Sequence, residues 1–148
     1  MYIREVDSTN VPMELMLIAD PSKEIISSYI NDSLCFCAFE ESSIIGVAVV
    51  QLVSKESAEI FNISVLPEFQ KTGIGTQLLQ TSLVSMKEQG VERVVLGTGT
   101  FGYQLTFYQR NDFRVDSVLK NYFLESYSEP LEENGIQHKD MLRLYVDL

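Results

Sequence analysis

The chain of 148 residues contains no tryptophan, only two cysteines and only one histidine. Cys35 and Cys37 form a lone C-x-C within an apolar run, which is too little for a disulfide framework or a zinc site, and no metal site is predicted. No apolar run approaches the ~20 residues that a membrane-spanning helix needs, and no basic, apolar secretory leader is present. We therefore expect a cytoplasmic protein without a membrane partner.

Basic residues are also scarce: 11 Lys and Arg stand against 21 Asp and Glu, for a formal net charge of −10. Nucleic acids and anionic membrane surfaces need a basic face, so this balance argues against both as partners. A cationic partner, such as an amine, would be attracted. The alternative interpretation is that the acidic surface serves only to keep the protein in solution.

The remaining composition is that of an ordinary globular protein, with 45% hydrophobic and 22% charged residues. A chain of this length can bury a substantial core. We find no internal repeat and no linker, and the sequence predicts a single domain that covers residues 1–148.

Hydrophobic periodicity and turn residues predict the element order β-α-α-β-β-β-α-β-α-β-β, an α/β fold with a mixed, mostly antiparallel central sheet flanked by helices. The predicted helices cover 11–19, a segment from Pro21, a segment from Gly75, and 103–109. The predicted strands cover 2–6, 34–39, 44–53, 58–65, 91–96, 113–123 and 142–148. Segment 124–140 is polar and acidic, and we expect either a lid or a disordered loop there.

One stretch, from Ile63 to Thr76, combines the end of a strand, a loop with Pro67, and a glycine turn that leads into a helix. Gly73 and Gly75 lack a Cβ atom, so a ligand can approach their backbone closely. The N–H groups and the dipole of a helix start favour an anion, typically a phosphate. The Walker loop is not matched because no Gly-Lys pair occurs, and the dinucleotide pattern G-x-G-x-x-G fails at its third glycine.

The remaining pattern, V-x-P-x-x-Q-x-x-G-x-G, resembles the pyrophosphate loop of the GNAT superfamily of N-acetyltransferases. The predicted element order is also similar to that of this family. Phe107-Tyr-Gln-Arg-Asn-Asp-Phe113 resembles the family's F-Y-x-x-x-G-F signature, with Asp112 in place of the glycine. The tail 134–144 is similar to an uncharacterised bacterial subgroup. Phe101 stands where many members place an asparagine that holds the pantetheine arm.

The resemblance implies that acetyl-CoA is the cofactor, acting as a co-substrate. Backbone donors of residues 71–76 would hold its pyrophosphate, and the backbone N–H of Val65 would polarise the thioester carbonyl. The alternative is a plain tight turn before a helix. The predicted cofactor-binding residues are Ile63, Ser64, Val65, Gln70, Lys71, Thr72, Gly73, Ile74, Gly75 and Thr76.

Two residues are predicted to be catalytic from the same resemblance. Glu59 matches the general base that removes a proton from the amine, directly or through water, and Glu56 is a weaker alternative. Tyr108 matches the general acid that protonates the leaving thiolate. The competing interpretations are an edge-of-strand surface glutamate and a core tyrosine. This set of groups implies direct transfer within a ternary complex.

For the other reactive side chains, the sequence favours a structural role over a catalytic one. The two cysteines are expected to be buried small hydrophobes rather than nucleophiles. His138 is expected to be exposed in the acidic tail loop. Aromatic and acidic residues of the same tail present two interpretations, a wall that binds a cationic amine or a solvated loop face, and the solvated face is favoured. That wall would consist of Tyr122, Glu125, Tyr127, Glu129 and Glu132.

The sequence therefore predicts an acetyl-CoA-dependent N-acetyltransferase that acts on a primary amine of a small molecule or a protein. The alternative is a non-catalytic acyl-CoA-binding or regulatory module with the same fold. The resemblance also allows a homodimer. The identity of the acceptor cannot be predicted, because the helices and the tail that would select it carry no recognisable motif.

Overall fold

All 148 residues are described by the computed structural model. Its α-helices are α1 (Met13–Met16), α2 (Lys23–Tyr29), α3 (Ile74–Glu88), α4 (Tyr103–Arg110) and α5 (Tyr122–Ser126). Its strands are β1 (Tyr2–Val6), β2 (Leu34–Glu40), β3 (Ser43–Leu52), β4 (Ser57–Val65), β5 (Arg93–Gly99), β6 (Arg114–Leu119), β7 (Glu132–Glu133), β8 (Ile136–Gln137) and β9 (Met141–Asp147). No helix combines the length and apolar character needed to cross a lipid bilayer.

The fold class predicted from the sequence is confirmed: the protein is α/β, and seven strands form one mostly antiparallel sheet. By its internal contacts the chain divides into two compact units, Met1–Val94 with Leu148, and Val95–Asp147. The expectation of a single domain stays a prediction.

In the first unit, β1 to β4 are neighbours in chain order, and each pair is antiparallel. Short turns join β2 to β3 and β3 to β4, as the sequence predicts, because short turns bring consecutive strands side by side. The pairing of β3 with β4 shifts register between Val49 and Val50, where Val49 faces Asn62 and Val50 faces Ile60. Phe61 is therefore the extra residue of a β-bulge in β4.

Strands β2 and β3 are almost wholly apolar because both of their faces are covered. On one face, Cys35, Cys37, Val47 and Val49 pack with buried side chains from α1 and α2. On the other face, the side chain of Leu78 in α3 comes so close to Gly46 that a Cβ atom there would lie 3.0 Å from it. Successive residues of a strand face opposite sides, so one apolar run serves both layers.

The first helix is shorter than predicted. Val11 is extended, with φ −84° and ψ 122°, and Pro12 precedes α1 at its N-terminal cap. A residue before proline is pushed out of the helical region, so the helix cannot include Val11. The second helix agrees with its prediction, and the Ser22 side chain caps it by accepting a hydrogen bond from the Ile25 N–H at 3.2 Å.

In the second unit, β6 pairs with β9 in antiparallel register. The prediction of one strand over 113–123 is wrong in its second half, because β6 ends at Leu119 and Tyr122 begins α5. Asn121 has φ 63°, in the left-handed region that asparagine tolerates, and this residue turns the chain.

Segment 124–140 is ordered, so the expectation of a disordered loop is wrong. It contains the end of α5 and a hairpin in which Glu133 pairs with Ile136. Asn134 and Gly135 form the two-residue turn, and both have positive φ, 56° and 77°. An Asn-Gly pair with two positive φ angles is typical of a tight hairpin turn, so this hairpin had a recognisable sequence signal.

Candidate functional site

The loop between β4 and α3 is fixed by two side-chain hydrogen bonds. Gln70 Nε2 donates to the carbonyl oxygen of Val65 at 2.9 Å, and Thr72 Oγ1 donates to that of Phe69 at 2.5 Å. Lys71 adopts φ 63° and Gly73 adopts φ 89°. A positive φ is uncommon for a residue other than glycine, so the loop holds a specific backbone shape.

The start of α3 has the properties of an anion site. Gly73 is the N-cap and supplies no side-chain hydrogen bond, and the N–H of Gln77 bonds to the carbonyl of Gly73 at 3.1 Å. The N–H groups of the preceding residues of this turn have no acceptor within the helix. No atom lies within 4 Å of the position of a Cβ atom on Gly73, so this side of the loop is open. The residues present therefore fit a pyrophosphate.

The register of the β3–β4 pair determines the direction of the backbone N–H and C=O groups of Val65. Val65 faces Gly46 across the β3–β4 pair, and the next residue, Leu66, donates its N–H to the carbonyl of Ile45 at 2.9 Å. Hydrogen-bonded and non-hydrogen-bonded pairs alternate along an antiparallel ladder. The N–H and C=O of Val65 therefore point away from β3, and Gln70 takes up the carbonyl.

Ser64, a predicted cofactor contact, has its side chain committed elsewhere. It is 2% exposed, and its Oγ donates to Asn62 Oδ1 at 2.6 Å. Asn62 Nδ2 in turn donates to the carbonyl of Met16 at 3.0 Å and to Tyr29 Oη at 3.2 Å. Any contact between Ser64 and a cofactor would consequently use the main chain.

This chain of polar groups continues to α2 and was not anticipated from the sequence. Tyr29 Oη donates to Asp20 Oδ2 at 3.3 Å, and the Tyr29 ring stacks on Phe61 at 4.8 Å. Burial is the main reason why the pKa of Tyr29 is raised well above its usual range. The network ties the α1–α2 corner to the bulge of β4, and its members are far apart in sequence, so no local motif signals it.

Glu59, the predicted base, lies on β4 opposite Gln51 and is partly buried. Val65 lies six residues further along the same strand. At about 3.3 Å per residue, that separation is about 20 Å. A proton that passes between Glu59 and an amine near Val65 would therefore have to travel through water.

Tyr108, the predicted acid, lies in α4 and is 7% exposed. Its ring makes edge contacts with Phe107 at 5.1 Å and with Phe113 at 5.5 Å between ring centroids. Burial raises the pKa of Tyr108 well above the usual value of a phenol. The side chain is therefore a proton donor, and not a phenolate, over the whole neutral pH range.

The two cysteines are buried, as expected, and neither is exposed to solvent. Burial raises the pKa of Cys35 to about 12 and the pKa of Cys37 to about 11. A nucleophilic cysteine needs a lowered pKa, so these thiols are structural.

The expectation that the side chain of His138 is exposed is wrong. Its side chain is only 12% exposed and contacts the Glu133 carboxylate. Among the residues of the suggested aromatic and acidic wall, the two tyrosines are partly buried around Phe123, with ring centroids 5.4 Å (Tyr122) and 5.9 Å (Tyr127) from it. The three glutamates are exposed. They therefore form a solvated face, as the simpler interpretation holds.

Comparison with known proteins matches residues 31–115 to the family model of the acetyltransferase (GNAT) domain. An uncharacterized N-acetyltransferase of Bacillus subtilis, YvbK, is 38% identical over 136 residues, which is 91% of this chain and 88% of that protein. A GNAT family acetyltransferase from Elizabethkingia anophelis, solved with acetyl-CoA bound, is 38% identical and superimposes with a TM-score of 0.93 over 99% of this chain and 97% of its own. A Bacillus subtilis acetyltransferase in complex with CoA gives a TM-score of 0.88 at 36% identity, over 99% and 97% of the two chains.

YvbK and the two solved structures align over at least 91% of this chain, and the family model covers residues 31–115. The chain therefore belongs to the GNAT family of acetyltransferases and is an N-acetyltransferase.

Proposed function

We propose that this protein transfers the acetyl group of acetyl-CoA to a primary amine, by direct attack within a ternary complex. The observation that carries this proposal is the open loop at Gly73, where backbone N–H groups and the start of α3 meet without a side-chain cap. Two similar acetyltransferases were solved with acetyl-CoA or CoA bound. We assign the predicted residues 71–76 to the pyrophosphate of the cofactor, while Gln70 shapes the loop through its hydrogen bond to the Val65 carbonyl.

The strand before this loop would present the thioester. The N–H of Val65 points away from β3 and can donate to the carbonyl oxygen as negative charge develops on it. A preorganised main-chain donor of this kind is worth about 3 kcal/mol of barrier. The backbone N–H and C=O of Ile63, two residues earlier in the same strand, also point away from β3. Ile63 and the main chain of Ser64 would line the path of the pantetheine arm.

The reaction then needs several proton transfers. The acceptor, an ammonium ion at neutral pH, first loses a proton to Glu59 through intervening water, and its nitrogen then bonds to the carbonyl carbon. The carbon–sulfur bond breaks, and the thiolate of CoA takes a proton from the hydroxyl of Tyr108. At neutral pH the hydroxyl of Tyr108 is protonated, as the donor of this proton must be. The second proton of the nitrogen is lost to water, and Tyr108 regains its own proton from water. The products are the N-acetylated amine and CoA.

The class of acceptor can be found with a panel of amines. Acetyl-CoA is titrated first, and the release of free thiol is then followed with polyamines, aminoglycosides, amino acids and N-terminal peptides. Turnover with one class and not the others supports the proposal. Tight binding of acetyl-CoA without turnover across the panel would instead favour a non-catalytic acyl-CoA-binding module.

Variants of Glu59 test the path of the first proton. Glu59→Gln removes the base while it keeps the shape of the side chain. If Glu59 acts, turnover at neutral pH falls and recovers as the pH rises toward the pKa of the free amine, about 10.4 for a lysine-like group. An unchanged rate and pH profile would show that Glu59 does not remove the proton. Glu56→Gln, in the exposed segment before β4, tests the weaker alternative, because a loss of rate in that variant alone would make Glu56 the base.

A further inference from the structure

We infer that Glu133 and His138 form a positioning pair that fixes the connection between β5 and α4 and thereby orients Tyr108. Neither residue is assigned to the reaction, and both lie in the ordered tail of the second unit, in β7 and just after β8. The inference rests on the proposed function, which gives Tyr108 its role as the proton donor.

Both oxygens of the Glu133 carboxylate have partners. Oε2 accepts a hydrogen bond from the backbone N–H of Tyr103 at 3.3 Å, and Oε1 lies 2.9 Å from Nε2 of His138. Tyr103 is the first residue of α4, whose N-cap, Gly102, has no side chain to cap it. A carboxylate at this end satisfies one of the open N–H groups and complements the helix dipole. Glu133 thus caps α4 from a position distant in sequence.

His138 holds the carboxylate and the connection together. Its ring stacks on Phe101 with centroids 4.2 Å apart and planes at 11°, and it tilts against Phe123 at 5.7 Å. The backbone N–H of His138 donates to the carbonyl of Leu131 at 2.7 Å. The other ring nitrogen, Nδ1, is buried without a hydrogen-bond partner. Glu133 is therefore the polar group that orients this ring.

Two glycines of the connection make room for the pair. A Cβ atom on Gly99 would collide with the His138 ring, and one on Gly102 would collide with the Glu133 carboxylate. Gly102 also has φ 108°, which other residues rarely adopt. Phe101, which stands in place of the family's asparagine, lies between these glycines and supplies the stacking surface. The backbone of the connection therefore leaves space for the His138 ring at Gly99 and for the Glu133 carboxylate at Gly102.

The consequence concerns Tyr108, which follows Tyr103 in the same short helix. A helix of two turns moves as one body, so a fixed first turn fixes the direction of the Tyr108 ring. Small displacements of a reacting group have large effects on rate, because about 1 Å can change turnover about 100-fold. Glu133 and His138 therefore act on the reaction through α4 and do not touch the reacting atoms.

The first test compares kcat with KM. His138→Leu removes the hydrogen bond and should lower kcat about tenfold, while the KM for acetyl-CoA changes less than about twofold. His138→Gln retains an N–H that can reach Glu133 and should restore most of the rate. Glu133→Leu, which removes both acceptor oxygens, should resemble His138→Leu, whereas Glu133→Gln keeps one acceptor oxygen and should lose less. Glu132→Leu is the matched control, because Glu132 is the exposed neighbour in the same strand, and it should leave kcat unchanged.

The second test is a double-mutant cycle with Tyr108→Phe. If the pair acts through Tyr108, adding Glu133→Leu or His138→Leu to Tyr108→Phe causes no further loss of kcat, whereas independent effects would multiply. A multiplied loss overturns the inference, and so do single variants with the rate of the wild type. A silent Tyr108→Phe beside a slow His138→Leu also overturns it, and in addition removes Tyr108 from the proposed mechanism.

A third measurement needs no turnover. Amide hydrogen exchange of α4 reports how firmly its first turn is held. Glu133→Leu, which removes the cap, should speed exchange at Phe107 and Tyr108 about tenfold or more and leave α3 unchanged. Equal exchange in the variant and the wild type would overturn the inference even if no acceptor amine had been found.

Discussion

Tyr108 is the residue to which the proposed mechanism assigns the protonation of the leaving thiolate. Its ring is enclosed by Phe107 and Phe113, and burial keeps its hydroxyl protonated. Phenylalanine fills the same space without the hydroxyl. We expect Tyr108→Phe to lower kcat about 100-fold, the low end for a lost general acid, and to change the dissociation constant of acetyl-CoA less than about twofold.

Steady-state kinetics and calorimetric titration of acetyl-CoA check this prediction. Tyr103→Phe is a suitable control, since that tyrosine lies in the same helix and is 66% exposed. Equal kcat values for the wild type and Tyr108→Phe would show that another group protonates the thiolate of CoA.

The buried thiols link stability to pH. The pKa of Cys35 and that of Cys37 are raised in the folded protein, to about 12 and about 11. In the unfolded chain they titrate near the ordinary value of about 8.5. Their contribution to stability is therefore complete below about pH 8.5 and is lost as the pH rises towards the folded values.

We expect the free energy of unfolding to fall between about pH 9 and about pH 11, with a slope of up to about 1.4 kcal/mol per pH unit for each thiol. Urea titrations at several pH values measure this slope. The variant Cys35→Ala with Cys37→Ala should show a smaller slope, whatever its stability at neutral pH. An identical slope in both proteins would assign the loss to other groups.

At the scale of elements, the loop before α3 depends on one backbone angle. Gly73 has φ 89°, and a β-branched residue is strained there, by about 1–2 kcal/mol. The added side chain also occupies the open side of the anion site. We expect Gly73→Val to weaken acetyl-CoA binding at least about tenfold while the far-UV circular dichroism shows an intact fold.

Gly90 offers a closely matched control for this variant. It has φ 90°, and no atom lies within 4 Å of its Cβ position, but it follows the other end of α3. Gly90→Val should therefore cost similar stability and leave acetyl-CoA binding unchanged. If both variants lost binding equally, backbone strain alone would account for the effect of Gly73→Val.

Helix α2 shows that a local signal was sufficient for one element. The helix predicted from Pro21 is present, and the structure adds the Ser22 side chain as its cap. We expect Ser22→Ala to lower the free energy of unfolding by about 1 kcal/mol, because the N–H of Ile25 loses its acceptor. Urea denaturation measures the change. Ser27→Ala, on the exposed face of the same helix, should be neutral or slightly stabilising.

At the scale of the whole molecule, the net charge of −10 affects how a charged acceptor arrives. A field of this sign raises the local concentration of a cationic amine, and salt screens it over about 10 Å at 0.1 M. We expect the KM of a polyamine acceptor to rise several-fold, roughly threefold or more, between about 20 and about 500 mM NaCl. The same titration with an aromatic amine that is uncharged at neutral pH should show little change.

Features that arise from neighbouring residues were predictable from the sequence alone. Periodicity located the strands of the first unit and helix α3, since one period places all apolar side chains on a single face. The glycine loop, the Pro67 turn and the phenylalanine-flanked Tyr108 were recognisable because each is a pattern of neighbouring residue types. These features were enough to predict the family.

Contacts between distant parts of the chain could not be predicted from the sequence and are known only from the folded structure. The hydrogen bond from Ser64 to Asn62 and onward to Tyr29, the burial of His138, and the cap that Glu133 places on α4 all join segments separated in sequence. Side-chain direction and burial follow from which surfaces meet after folding. A sequence pattern records the propensity of each segment, but the partner that satisfies a buried polar group is chosen when the segments pack together.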